Sequence, residues 1–298
     1  MYERLIGMLK IHDVEYQTEV ELSALTSIKI GGVAGLVILP DTPDKTVAVL
    51  NCLLNEGIAF KTVGRMTNIL PPDGRVDIPI ITTRRLLGFS VSDAGVVSAN
   101  AGESLMRILR FCAERDLGGC EMLSGIPGTI GGLVTMNAGA FGAEISDFFI
   151  GAVAYDIKTR ECVRLLRDDM RFEYRNSIIR GSSLVILSVE LALRRRSKDD
   201  IISDLNKYKR IRLDAQPIEP SLGSVFMRCD GVVPAKLIDE LGLRGHSIGG
   251  AMVSEKHAGF IINRGGATAS DFRSLVDYIK REVYVRCGAI IREEVEYL

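Results

Sequence analysis

Residues 124–142 read SGIPGTIGGLVTMNAGAFG, and this segment limits what the chain can become more than any other. Six glycines and one proline sit there among small side chains, which is loop chemistry rather than the periodicity of a helix or strand. Backbone of this kind can approach a ligand closely and turn its N–H groups inward, which is how proteins hold a pyrophosphate without a large positive charge. The spacing is not that of a nicotinamide-type dinucleotide fold. Gly128-Thr129-Ile130-Gly131-Gly132 lacks the G-x-G-x-x-G pattern and the acidic residue expected downstream. On composition alone, a structural loop joining two strands is the alternative.

Strand, helix and strand recur around this segment. Val47, Val49, Leu50, Leu53 and Leu54 predict a helix over 43–58 that stops at Gly57, between short apolar strands at 36–39 and 59–63. Leu105, Ile108, Leu109 and Cys112 share one face of a predicted helix over 104–115. Beyond the glycines, near-alternation of β-branched residues predicts strands at 150–157, 162–166 and 184–194. The charged run from Arg194 to Asp200 reads as a boundary, followed by helices at 199–213, 234–241 and 269–284 and a short strand near 289–295.

A length of 298 residues suits two domains. Lys and Arg together number 37 against 38 Asp and Glu, with 47% hydrophobic residues, so neither nucleic acid nor a membrane surface is favoured as a partner. The six cysteines (Cys52, Cys112, Cys120, Cys162, Cys229, Cys287) stand singly, with no His at metal-ligand spacing, and read as reduced thiols. The opening MYERLIGMLKIHDVEY lacks the apolar stretch of a signal peptide, and the expected location is the cytoplasm.

Six landmarks then follow in order: SGIPGTIGG, MNAGAFG, YRNS at Tyr174 to Ser177, GSVF at Gly223 to Phe226, GGAMVSEKHAGFIIN at Gly249 to Asn263, and EEV at Glu293 to Val295. Together they resemble the UDP-N-acetylenolpyruvoylglucosamine reductases, flavoenzymes of bacterial peptidoglycan precursor synthesis, in the version without an extra inserted domain. The resemblance runs from about Thr26 to the C-terminus. It implies an α+β fold: a two-lobed FAD-binding domain of the vanillyl-alcohol-oxidase-like type over 1–197, with lobes of about 1–82 and 83–197, then a smaller α/β substrate domain over 198–298.

It also implies a set of roles. FAD is the cofactor and NADPH its reductant, and the partner is a small-molecule UDP-sugar whose enolpyruvyl group accepts hydride. The first phosphate loop corresponds to Gly64, Thr67 and Asn68. The second corresponds to Ser124, Gly125, Pro127, Gly128, Thr129, Gly131 and Gly132, while Asn137, Ala138 and Gly139 lie alongside the flavin. Adding hydride to an enol ether conjugated to a carboxylate develops negative charge, so such a site needs a cation and a proton donor. Arg175 resembles the family's cation, Ser224 its proton donor and Glu294 its carboxyl partner, with Tyr174, Arg228 and His257 at substrate-facing positions. Taken singly these residues read as a turn serine, a surface arginine, a solvated glutamate and a hydrogen-bonded structural histidine.

The chain departs from the family pattern at ligand-contacting positions. Arg65 and Met66 stand where the family has Asn and Gly, Met227, Arg228 and Cys229 replace Lys-Asn-Pro, and Leu25 replaces an Asn. A side chain at Met66 is expected to intrude where backbone meets pyrophosphate, and a φ above zero there costs about 1 kcal/mol. Three readings follow: an active reductase, a flavin-poor or non-catalytic paralogue acting as a binding or regulatory protein, and an oxidase on the same scaffold.

Overall fold

The computed structural model describes residues 2–228 and 231–298. The chain forms two compact units, each assembled from separated segments. The first takes the residues up to Thr18 with Leu36–Arg65 and Ile78–Ile211, and the second takes Glu19–Gly35, Met66–Asp77 and Arg212–Leu298.

Two sheets organise the first unit. One runs in the order Glu15–Glu21, Val33–Leu39, Ile80–Thr82, Lys61–Val63, and its last three strands are parallel. The parallel crossover is the helix Pro43–Asn55, started by Pro43 and by the Thr42 hydroxyl, which accepts from the Lys45 N–H at 3.2 Å. Its Val49, Leu50 and Leu53 join Leu5, Leu9, Leu36, Ile38 and Ile81 in one core, the apolar spacing that the sequence carries. The other sheet is antiparallel, in the order Glu161–Leu166, Phe149–Asp156, Leu184–Ala192, Val96–Asn100, Phe89–Val91. The helix Leu105–Ala113 contributes Leu105, Ile108, Leu109 and Cys112 to the core beneath it.

The charged run expected as a boundary lies inside this first unit. Arg194–Arg195 pairs with Leu117–Gly118, and Arg196 bridges the buried Glu121 and Asp204, each at 2.9 Å. Paired in this way, the charges do not mark a linker. The helix that follows, Lys198–Ala215, buries Ile201 and Leu205 in the same core, and the units divide only at Ile211.

The second unit holds a sheet in the order Ser221–Ser224, Phe260–Asn263, Ala251–Val253, Ser247–Ile248, with the helices Pro234–Glu240 and Ala269–Cys287. Thr268 and Asp271 form a capping box on the longer helix, and Gly288 ends it in the left-handed region. Ile28, Ile30 and Leu70, from the two inserted segments, sit in its core with Phe272, Leu275 and Val295. The Asn263 side chain donates to the carbonyls of Ile28 and Lys29 at 3.0 and 3.2 Å, which fixes the first segment. Asp73 fixes the second by accepting from the Ala269 and Ser270 N–H groups. The single strand expected near 289–295 is two, because Arg292–Glu293 pairs with Phe226–Met227 and Glu296–Tyr297 runs parallel to Ile69–Leu70. Among the described residues no helix is long and apolar enough to cross a membrane, and no cluster of metal-ligating side chains occurs.

Candidate active site

In the first unit the glycine segment is less irregular than its composition suggests. Ile130–Thr135 is a short helix, with the Thr129 hydroxyl accepting from Gly132 N–H at 3.2 Å and with Ile130, Leu133 and Val134 buried. The two phosphate-loop candidates meet here. A Cβ added to Gly64 would lie 2.6 Å from the Thr129 hydroxyl oxygen, so only glycine lets the loops close on each other. Gly131 is similarly confined, 3.0 Å from Ala101. Ser124 and Thr129 are buried polar residues in this cradle. Close by, burial and then the like charge of Arg65 depress the Arg84 guanidinium below its usual pKa. A backbone cradle with hydroxyls and cations fits the pyrophosphate of FAD.

Asn137, Gly139 and Arg175 come together a few residues on. The Arg175 guanidinium donates to the Gly139 carbonyl at 3.0 Å and lies over the Tyr174 ring, 4.8 Å from its centroid. Asn137, almost fully buried, donates from Nδ2 to the Glu144 carboxylate at 2.7 Å and to the Glu173 carbonyl at 2.9 Å. Asn137 and Arg175 both have left-handed backbone, at φ 40° and 57°, as does Phe141 at 52°. Such residues cost on the order of 1–3 kcal/mol each and persist only where surroundings over-determine them. Ala138 donates its N–H to the Leu133 carbonyl and anchors the turn. The sequence reading missed Glu144, whose only signal is an acid closing a run of small residues.

The second unit gathers the other candidates. Ser224 ends a strand beside Phe260, and its hydroxyl lies 3.4 Å from the Phe226 carbonyl. Glu294 N–H donates to the Val225 carbonyl at 2.8 Å, which brings the Glu294 main chain beside the residue that follows Ser224. Of the Glu293–Glu294 pair, Glu293 is committed to Lys280 at 2.8 Å and to the Tyr297 hydroxyl. His257 is partly buried, its Nδ1 accepting from Gly259 N–H at 3.1 Å, and burial lowers its pKa so that the neutral ring is favoured. Arg228 is exposed at the last described position before Cys229, which lies outside the described residues.

Thr67 and Asn68 follow Met66 into this unit, where Asn68 bonds the Glu294 main chain. Met66 has φ 48°, the left-handed turn that a glycine would make, and its side chain is 2% exposed.

Comparison with known proteins bears on both units. Residues 34–161 match a family model described as FAD binding domain, and residues 216–298 match one described as UDP-N-acetylenolpyruvoylglucosamine reductase, C-terminal domain. A UDP-N-acetylenolpyruvoylglucosamine reductase of Caldicellulosiruptor bescii is 37% identical over 97% of this chain and 93% of its own length. The chain belongs to the UDP-N-acetylenolpyruvoylglucosamine reductase family. The enzyme of that name from Thermotoga maritima is 38% identical over 93% of this chain and 96% of its own length. The crystal structure of the Thermus caldophilus reductase superposes with a TM-score of 0.80 at 27% identity, covering 95% of this chain and 98% of that one. A berberine bridge enzyme variant, at 14% identity and a TM-score of 0.50, shares the fold alone. The fold is thus the expected α+β arrangement: an FAD-binding domain of the vanillyl-alcohol-oxidase-like type followed by the reductase family's C-terminal domain.

Proposed function

We propose that this chain reduces the enolpyruvyl group of UDP-N-acetylglucosamine enolpyruvate to give UDP-N-acetylmuramate, using NADPH and FAD, in peptidoglycan precursor synthesis. The observation that carries the reading is the match to reductases of that name across nearly the whole chain, flavin and C-terminal domains together. FAD binding is assigned mainly to the first unit and substrate binding mainly to the second, with the division after Ile211 in place of the expected 197/198. Gly64, Thr67 and Asn68, with Ser124, Gly125, Pro127, Gly128, Thr129, Gly131 and Gly132, hold the pyrophosphate, and Asn137, Ala138 and Gly139 border the ring system. The cytoplasm is the proposed location, since NADPH and nucleotide sugars are made and used there.

FAD held by these residues would supply the hydride chemistry that links NADPH to the carbon–carbon double bond of the substrate. The work of the side chains follows from the charge this creates. As one carbon of the double bond takes up hydrogen, negative charge develops on the neighbouring carbon and spreads into the carboxylate. Arg175 supplies the cation that lowers the energy of that charge, an electrostatic role of the oxyanion-hole type. Ser224 delivers the proton that quenches it, and Glu294 is the carboxyl partner in proton handling. Tyr174, Arg228 and the neutral His257 orient the nucleotide sugar.

The test is direct. Purified protein supplemented with FAD is expected to show the flavin absorbance bands, to bleach with NADPH and to recover on addition of the enolpyruvyl nucleotide, with UDP-N-acetylmuramate as product. Bleaching without recovery would remove the substrate assignment, and failure to take up flavin would remove the reading altogether.

A further inference from the structure

Glu144 lies where three features of the first unit converge, and no role in the reaction outlined above has been given to it. Its Oε2 accepts from Asn137 Nδ2 at 2.7 Å, and its Oε1 is 3.9 Å from Arg175 Nη1. Its backbone pairs with Gly139, whose carbonyl receives the other Arg175 nitrogen at 3.0 Å. The space for this is made by Gly139 itself. A Cβ there would stand 2.7 Å from the Ala143 carbonyl oxygen, 2.9 Å from Glu144 Cγ and 3.2 Å from Arg175 Nη1. The guanidinium is 17% exposed and the carboxylate 33%, so the pair is screened less than a surface ion pair.

We infer that Glu144 is a positioning residue for Arg175, holding the guanidinium against the Asn137–Gly139 turn in the orientation the substrate carboxylate requires. The inference rests on the role proposed above for Arg175. The backbone supports it: Arg175 sits at φ 57° in a turn closed by reciprocal hydrogen bonds between Glu173 and Asn176, which fixes where its side chain starts, while the carboxylate and the Gly139 carbonyl fix where it ends. In this role Glu144 works on Arg175 and not on a reactant. It acts by keeping Arg175 in place, so its loss should slow only the step in which charge develops.

The experiment uses the flavin-loaded protein and the variants Glu144→Gln, Glu144→Asp, Arg175→Ala and the double variant Glu144→Gln with Arg175→Ala. Gln keeps an acceptor for Asn137 and removes the charge. The expected result is a loss of about tenfold or more in the substrate half-reaction of Glu144→Gln, with flavin binding and reduction by NADPH within about twofold of the natural chain. Glu144→Asp should recover part of the loss. In the Arg175→Ala background Glu144→Gln should cost nothing further, and additive losses would overturn the inference. The nitrogen-15 resonance of the Arg175 guanidinium separates the two claims. A signal unmoved by Glu144→Gln overturns the positioning role whatever the rates. A signal that moves while Arg175→Ala leaves the substrate half-reaction intact overturns the role of Arg175 instead.

Discussion

The Asn68 side chain donates to the main-chain carbonyl of Glu294 at 2.9 Å. The Asn68 carbonyl in turn accepts from Glu296 N–H at 2.9 Å, so the segment that leaves the first phosphate loop is clamped to the main chain on and just after the candidate carboxyl residue. Loop and acid are set by one residue. Asn68→Ala is expected to cost about 1 kcal/mol of stability, the net worth of one such bond. It should also slow the substrate half-reaction more than flavin reduction. Thermal melts and stopped-flow traces check this, and an unchanged melt with unchanged rates would refute it.

Met66→Gly weighs two opposed effects. Glycine relieves the left-handed backbone, worth roughly 1 kcal/mol, but empties a fully buried site, for which truncations cost about 2–5 kcal/mol. The second effect wins. The variant should melt lower than the natural chain and bind FAD no more tightly. A higher melting temperature, or a tenfold gain in FAD affinity by titration, would mean that the side chain does obstruct the flavin.

Ser224→Ala should lower turnover with the enolpyruvyl nucleotide by roughly 10²- to 10⁴-fold, the range typical of a lost general acid. Reduction of the flavin by NADPH precedes that proton transfer and should stay within about twofold. Rapid-mixing measurement of each half separates them, and equal slowing of both would make Ser224 structural.

His257 gives a pH signature. Burial depresses its folded pKa below the unfolded value of about 6.5, so its neutral form is favoured in the native state. The stability it contributes is present above that unfolded value and is lost as pH falls through the folded pKa. Urea melts between pH 7 and pH 5 should show a decline that His257→Gln reduces. An equally steep decline in the variant would assign the pH dependence to other groups.

Much of this could be read locally. The helix at Pro43–Asn55 is written in Thr42, Pro43 and an apolar period, and its end in Gly57. The short helix Ile130–Thr135 was hidden because glycines weaken every propensity signal, while the burial of Ile130 and Val134 that holds it is tertiary. The same limit applies to Glu144: an acid after small residues reads as solvated until Asn137 and Arg175 are seen beside it. The charge run at 194–200 misled for the opposite reason, since Arg196 finds its partner in Glu121, 75 residues away.

The interlacing of the second unit has a consequence for how the chain comes off the ribosome. Ile28, Ile30 and Leu70 emerge early, whereas Phe272, Leu275, Val283 and Val295, the side chains they share a core with, are among the last to be made. Two short apolar stretches must therefore wait through most of translation with no surface to pack on, exposed to chaperones and to one another. Arg212–Leu298 made alone should lack three core side chains and the acceptors that Asn263 requires, and its amide exchange is expected to be that of an unprotected chain. Adding residues 19–35 and 66–77 as separate peptides should restore protection in trans if the late segment truly depends on the early ones.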